Sequence, residues 1–129
     1  MRPMRSLVCP LLAVLGFVLP LSGCAVTSLD GQHMVPGSDE FADYVELVFR
    51  RQNAVATELA LALDDVDPAS DRYTELEAAE LDLLTACRGL NEIASSRRDG
   101  DDARGLAALR RARQAPDCER AAEAAAAAL

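Results

Sequence analysis

Four cysteines are the residues of this 129-residue chain with the greatest capacity for chemistry. Cys9 lies within an apolar run, Cys24 follows that run in the stretch LSGCAVTS, and Cys87 and Cys118 lie in the second half of the chain. A cysteine side chain can carry a lipid, form a disulfide, ligate a metal or act as a nucleophile. The residues around each cysteine distinguish these chemistries.

Other catalytic or metal-binding chemistry has few residues to build on. His33 is the only histidine, so we predict neither a His-based catalytic triad nor a zinc site. The acidic stretch DDVDPASD offers oxygen ligands, but a calcium loop starting at Asp65 would have serine in place of the required glycine and leucine at its last position. We interpret the stretch as a turn capped by Asp67, with Pro68 beginning the next helix. The sequence therefore predicts no enzyme, no catalytic residue and no metal site.

Residues 1–23 have the organisation of a targeting segment. Two arginines are followed by a fifteen-residue apolar stretch from Leu7 to Leu21 and by the small pair Ser22-Gly23. This order of charge, apolar run and small residues is typical of a signal peptide. The stretch is shorter than the roughly 20 apolar residues that cross a bilayer, and its two prolines and one glycine weaken a helix.

The four residues Leu21-Ser22-Gly23-Cys24 resemble the lipobox of bacterial lipoproteins. The resemblance covers only the signal and these four residues, and the alternatives are an ordinary secretory signal with a stray cysteine and an uncleaved anchor. It implies that the chain is cut between Gly23 and Cys24, that the Cys24 thiol carries a diacylglyceryl group, and that the new amino group is usually acylated. The covalent lipid would anchor the protein in a membrane, and no other cofactor is expected.

The residue after the cysteine bears on which membrane is reached. In enteric bacteria an aspartate at that position retains a lipoprotein at the inner membrane, and residue 25 here is alanine. The resemblance therefore implies the periplasmic face of the outer membrane, with the inner membrane as the alternative.

The chain beyond the signal is acidic. The whole sequence has a formal net charge of −8, and loss of the two signal arginines would make this about −10. Proteins that bind nucleic acid need clustered positive charge. We therefore expect no nucleic-acid partner.

Three segments are predicted along the chain: the signal (1–23), a lipidated cysteine with a flexible tether (24–38), and one helical domain (39–129). The tether lacks helical periodicity and contains Gly31, Pro36 and Gly37. Fully extended, residues 25–38 would span about 45–50 Å. The domain would then stand well away from the bilayer.

Apolar residues recur every three or four positions in two parts of the domain, which predicts two amphipathic helices that fold back on each other. The first stripe consists of Phe41, Val45, Val48, Val55, Leu59 and Val66, with Gln52 and Ala62 in the same rhythm. The second consists of Tyr73, Leu76, Leu83, Cys87, Leu90 and Ala94, interrupted by Glu80. A short helix around Leu106 and, after Pro116, an alanine-rich helix complete an all-α hairpin or bundle of three to four helices.

The polar breaks in the two stripes would meet if the helices form a hairpin. This pairing places Arg51 and Gln52 opposite Glu80. A polar contact inside a helical interface usually fixes register at some cost in stability. A ligand site at the same place and a chance coincidence are the alternatives.

Cys87 and Cys118 are the two cysteines left after the signal and the lipidated residue are set aside. An even pair in an exported domain predicts a structural disulfide. A redox couple is the alternative, but the Cys-x-x-Cys spacing of such couples is missing.

Two functions remain for a small, acidic, helical domain of this kind. The first is a non-enzymatic envelope lipoprotein that acts as an accessory or adaptor and binds another envelope protein through a helical face. It predicts an apolar surface wider than the two stripes, because Tyr44, Leu47, Phe49 and Leu84 lie off them. The second is a self-associating structural or spacer lipoprotein, which would be a homo-oligomer.

Overall fold

A computed structural model describes residues 25–100 and 105–129. The predicted signal, the cleavage position between Gly23 and Cys24, and the lipidation site at Cys24 lie outside the described residues.

The described chain is helical apart from one small hairpin. Strands β1 (Val26–Thr27) and β2 (His33–Met34) precede the helices α1 (Asp39–Asp64), α2 (Asp71–Ala86), α3 (Arg88–Arg98), α4 (Leu106–Ala112) and α5 (Ala115–Ala127). Helix α5 packs against both α1 and α2, and α4 packs against α3. The predicted all-α bundle is confirmed, although the second predicted helix is divided into α2 and α3 at Cys87.

Helix α1 begins where the sequence predicts it to begin. The Ser38 hydroxyl accepts a hydrogen bond from the Phe41 backbone N–H at 3.2 Å, and Asp39 and Glu40 lie in the first turn, where the helix dipole favours negative charge. The buried side of α1 consists of Phe41, Tyr44, Val48, Gln52, Val55 and Leu59. Apart from Tyr44, all of these belong to the predicted stripe.

The turn between α1 and α2 is capped differently from the prediction. The Asp67 carboxylate accepts from the Ala69 backbone N–H at 2.9 Å and so closes the turn itself. Ser70 then caps α2 by accepting from the Tyr73 N–H at 3.1 Å. Helix α2 therefore begins at Asp71 and not at Pro68, because the serine hydroxyl satisfies the amide of Tyr73, the third residue of the helix, which has no intrahelical partner.

The C-terminal helix α5 fills the space between α1 and α2. Pro116 lies in its first turn, where the missing N–H costs nothing. Its buried residues Ala115, Cys118, Ala122 and Ala125 are small, which lets the neighbouring helices approach closely. At the C-terminal end of α5, the carbonyl oxygens of Ala128 and Leu129 accept hydrogen bonds from the Arg72 guanidinium. These bonds satisfy carbonyl groups that have no partner within the helix.

The predicted flexible tether is wrong for residues 26–34. Val26 pairs with Met34 and Thr27 with His33 in an antiparallel hairpin, and the side chains of Val26 and Met34 are buried in the core. The chain between them turns at Gly31, whose φ of 86° suits glycine. Burial of these two apolar side chains holds the segment against the helices, so the predicted stand-off of the domain does not occur through these residues.

Candidate functional site

Gln52 is buried in the interface between α1 and α3, with 2% of its surface exposed. Its Nε2 group donates to Asn91 Oδ1 at 2.7 Å and to Asn53 Oδ1 at 3.1 Å. Both amide hydrogens are therefore satisfied inside the protein. This geometry suits a contact that fixes helix register, and it leaves no amide hydrogen directed at a ligand.

The predicted pairing with Glu80 is wrong. Among the described hydrogen bonds and ion pairs, those of Gln52 go to Asn53 and Asn91, and Arg51 pairs with Glu123 of α5 at 3.3 Å. The reason is that α5 lies beside α1, where it meets Arg51, while the break at Cys87 brings α3 against Gln52. A continuous two-helix hairpin would have neither feature.

Cys87 and Cys118 form a disulfide, as predicted, with their Cα atoms 4.5 Å apart. Both residues are fully buried. The bond joins the α2–α3 junction to the first half of α5. The disulfide therefore links α5 covalently to the α2–α3 junction in the core.

Glu119, next to the disulfide, connects three elements. Its Oε2 atom accepts from the Tyr44 hydroxyl of α1 at 2.7 Å and from the Leu29 backbone N–H of the hairpin at 3.2 Å. Burial raises the pKa of Tyr44 well above the usual tyrosine range, and the hydrogen bond to Glu119 and its negative charge raise that pKa further. One carboxylate thus holds the hairpin, α1 and α5 together.

Alkaline pH is expected to destabilise the protein through Tyr44. Because the pKa of Tyr44 is raised on folding, the unfolded chain loses the phenolic proton first, and the free energy of unfolding should fall as the pH rises above about 10, the ordinary pKa of tyrosine. Urea unfolding measured from about pH 9 to about pH 11 should show a steeper loss for the native sequence than for Tyr44→Phe. Tyr73→Phe is the matched control and should keep the steep loss. Parallel pH profiles for the native sequence and Tyr44→Phe would contradict this account.

An apolar groove of about 660 Å³ lies between the first half of α1, α3 and α4. We call it the α1–α3–α4 groove. Its apolar lining consists of Phe41, Val45, Phe49, Leu90, Ile93 and Leu109. Asp39, Asp43 and Glu46 line it along one side of α1, at the spacing that places residues on one helix face. The volume lies within the range of about 300–1,000 Å³ typical of binding sites.

A second cavity, of about 590 Å³, lies at the junction of α2, α3, α4 and α5 and is polar. Its charged lining is of both signs, and Arg111 Nε lies 2.9 Å from Glu92 Oε2. A lining with both positive and negative side chains favours neither an anionic nor a cationic ligand.

The described residues do not form a metal site or a membrane span. Nowhere in residues 25–100 and 105–129 do three His, Cys, Asp or Glu side chains come close enough to hold a metal ion. None of the helices in the same ranges is both long and apolar enough to cross a bilayer. His33 Nδ1 lies 2.9 Å from Thr27 Oγ1 across the hairpin, at the protein surface.

Some of the residues that make these contacts could be predicted from the sequence, and others could not. Tyr44 could have been found, because it lies three residues after Phe41 and four before Val48 on the same helix face. Nothing in the local pattern marks Asn91 or Glu119, since their roles depend on how α3 and α5 are placed. Of the four residues predicted to widen the apolar surface, Tyr44 is buried and Phe49 lines the groove, whereas Leu47 and Leu84 are exposed.

No protein-family model matches this chain, and comparisons with curated proteins and with solved structures found no match either.

Proposed function

We propose that this chain is a lipid-anchored, non-enzymatic protein of the bacterial envelope that binds another envelope protein through the α1–α3–α4 groove. The lipobox-like residues Leu21-Ser22-Gly23-Cys24 support the anchor on Cys24, and the periplasmic face of the outer membrane is the proposed location. The groove is the observation that carries the binding role, because a soluble domain rarely leaves a large apolar concavity without a use.

The shape of the groove fits a helical segment of the partner. Its wall on α1 extends from Asp39 to Phe49, which corresponds to about 15 Å or three helical turns. An amphipathic helix of that length can place two or three apolar side chains in such a groove. The carboxylates of Asp39, Asp43 and Glu46 favour a partner segment with basic residues beside its apolar face.

The anchor is tested by metabolic labelling and fractionation. Radiolabelled palmitate should enter the native chain and not the Cys24→Ser variant. When residues 24–129 with Cys24→Ser are exported behind a secretory signal that is cleaved without lipidation, this variant should also move from the membrane fraction to the soluble fraction, because the lipid chains hold the native protein to the bilayer. A variant that takes up no label and yet fractionates as the native chain does would refute lipid anchoring.

The groove is tested by photo-crosslinking in the native host. A benzoylphenylalanine at Ala42, which lines the groove, should give one discrete adduct, whereas the same residue at Ala60, exposed farther along α1, should not. Ala108→Glu, in the groove wall, should abolish the adduct, and Ala107→Glu, exposed on the same helix, should leave it unchanged. An adduct that survives Ala108→Glu, or that forms equally from Ala60, would remove the groove from the proposal.

Self-association is the second candidate, and two exposed leucines favour it. Leu47 and Leu61 are exposed and lie fourteen residues apart on α1, which places them on one helix face at heptad spacing. Light scattering on the full chain carrying Cys24→Ser separates the two functions. A monomer favours the adaptor, whereas a dimer that Leu47→Glu and Leu61→Glu dissociate would favour the spacer.

A further inference from the structure

We infer that the end of the domain bearing Val35 and Leu106 lies directly against the surface of a phospholipid bilayer. We call this surface the anchor end. The inference rests on the proposed lipidation of Cys24, and it adds an orientation of the domain that lipidation alone does not set.

The position of the hairpin limits how far the domain can move from its anchor. Val26 is buried and paired with Met34. Cys24 is two residues before Val26, so their Cα atoms are at most about 7.6 Å apart, at 3.8 Å for each step. By contrast, α1 alone has 26 residues and is about 39 Å long. A lipid on Cys24 therefore brings the bilayer to one end of the molecule.

The apolar side chains at that end are unusually exposed. Leu106 is 74% exposed and Val35 is 68% exposed, the two highest values for a large hydrophobic residue in the described part of the chain. Val35 directly follows Met34, the residue that pairs with Val26. Val35 is thus close to the place where the chain leaves the domain towards Cys24.

Leu106 lies at the same end as Val35. Gly37, two residues after Val35, approaches α4 so closely that a Cβ built on it would lie 4.0 Å from Leu109 Cδ2. Leu106 is one helical turn before Leu109. Gly37 and Gly105 both line the α1–α3–α4 groove. The segment after β2 and the first residue of α4, which are distant in sequence, therefore place the two most exposed large apolar side chains near the anchor.

The charges at this end select the kind of lipid surface. Asp39 and Glu40 lie in the first turn of α1, a few residues after Val35, and are exposed. Acidic side chains are repelled by anionic lipids, whereas zwitterionic headgroups tolerate them. The anchor end therefore fits a bilayer rich in zwitterionic phospholipid, with Val35 and Leu106 reaching into the interfacial region.

The test uses the full, lipidated chain on phosphatidylcholine vesicles, with one nitroxide spin label at a time. Val35→Cys and Leu106→Cys carry the label at the anchor end, and Leu61→Cys is the matched control. Leu61 is 62% exposed and lies 22 residues after Asp39, about 33 Å away along α1. The native thiols should not take the label, because Cys9 leaves with the predicted signal, Cys87 and Cys118 are bonded, and Cys24 carries the lipid.

Accessibility to a water-soluble nickel chelate is the quantity measured. On vesicles, it should fall at least threefold at positions 35 and 106 relative to the same labelled chains in solution, prepared as residues 24–129 with Cys24→Ser, and it should stay unchanged at position 61. Equal accessibility at all three positions, for protein that floats with the vesicles, would overturn the orientation and leave the lipid anchor intact. Protein that does not float with the vesicles would overturn the anchor and, with it, this inference.

Two further outcomes also decide the matter. Labels at positions 35 and 106 that are already shielded in the Cys24→Ser chain in solution would show that protein, such as a second copy of this chain, covers the anchor end. That result would overturn the inference. Shielding that weakens when anionic lipid is added to the vesicles would support the role assigned to Asp39 and Glu40.

Discussion

Replacing both Cys87 and Cys118 with alanine is expected to lower the free energy of unfolding by about 3.5–4 kcal/mol. The disulfide closes a loop with a sequence separation of 31 residues, and the chain-entropy model gives about 3.7 kcal/mol for such a loop. For a domain of this size the thermal midpoint should fall by roughly 15–30 °C. Urea unfolding followed by far-ultraviolet circular dichroism, on the full chain with Cys24→Ser, measures the change.

Reduction of the native disulfide provides the control for this prediction. In strong reductant the Cys87–Cys118 chain should lose most of its extra stability and approach the double-alanine variant. The difference that remains between the two reduced chains then reports the packing of the two thiols. Equal unfolding midpoints for the oxidised native chain and the double variant would contradict the prediction.

Leu59→Ala is expected to destabilise the domain by about 2–5 kcal/mol, because it removes a core side chain and leaves a cavity. Leu59 is 0% exposed, whereas Leu61, two residues along the same helix, is 62% exposed. Leu61→Ala is therefore the matched control, and its effect should stay within about 0.5 kcal/mol. Both variants change the same atoms at nearly the same place on α1, so the difference between them isolates burial. Similar urea midpoints for the two variants would mean that α1 presents a different face to the core.

The apolar stripe of α1 could be predicted because a long helix repeats its pattern many times. Over 26 residues the buried positions recur every three or four residues, and five of the six fall on the predicted stripe. The disulfide followed from the even number of cysteines in a predicted exported domain. These features depend on local spacing or on composition, which a sequence displays directly.

The hairpin and the division between α2 and α3 could not be predicted in the same way. Each strand has only two residues, which is too short for an alternating pattern to appear. The chain changes direction at Cys87, where the only local signal is Gly89. A Cβ at Gly89 would lie 3.2 Å from the Arg111 carbonyl oxygen, so the absence of a side chain lets α3 pass close to the α4–α5 connection. The close approach of α3 to the α4–α5 connection is a tertiary contact, which local sequence does not display. The resulting position of α3 places Asn91 against Gln52, where Glu80 was predicted.

The candidate groove was predicted only as an apolar surface wider than the two stripes. Phe49 lines the groove, and Leu47 and Leu84 are exposed outside it. The groove exists because α3 and α4 pack beside the first half of α1. This placement depends on the break at Cys87 and so could not be predicted from helix periodicity.

The position of α5 has a consequence for when the protein can fold. This helix is the last element along the chain, yet it packs against both α1 and α2 and supplies Cys118. A polypeptide that emerges from a ribosome or a translocation channel with its N-terminus first has an incomplete core until α5 follows. Closure of the domain around its core therefore coincides with the arrival of α5.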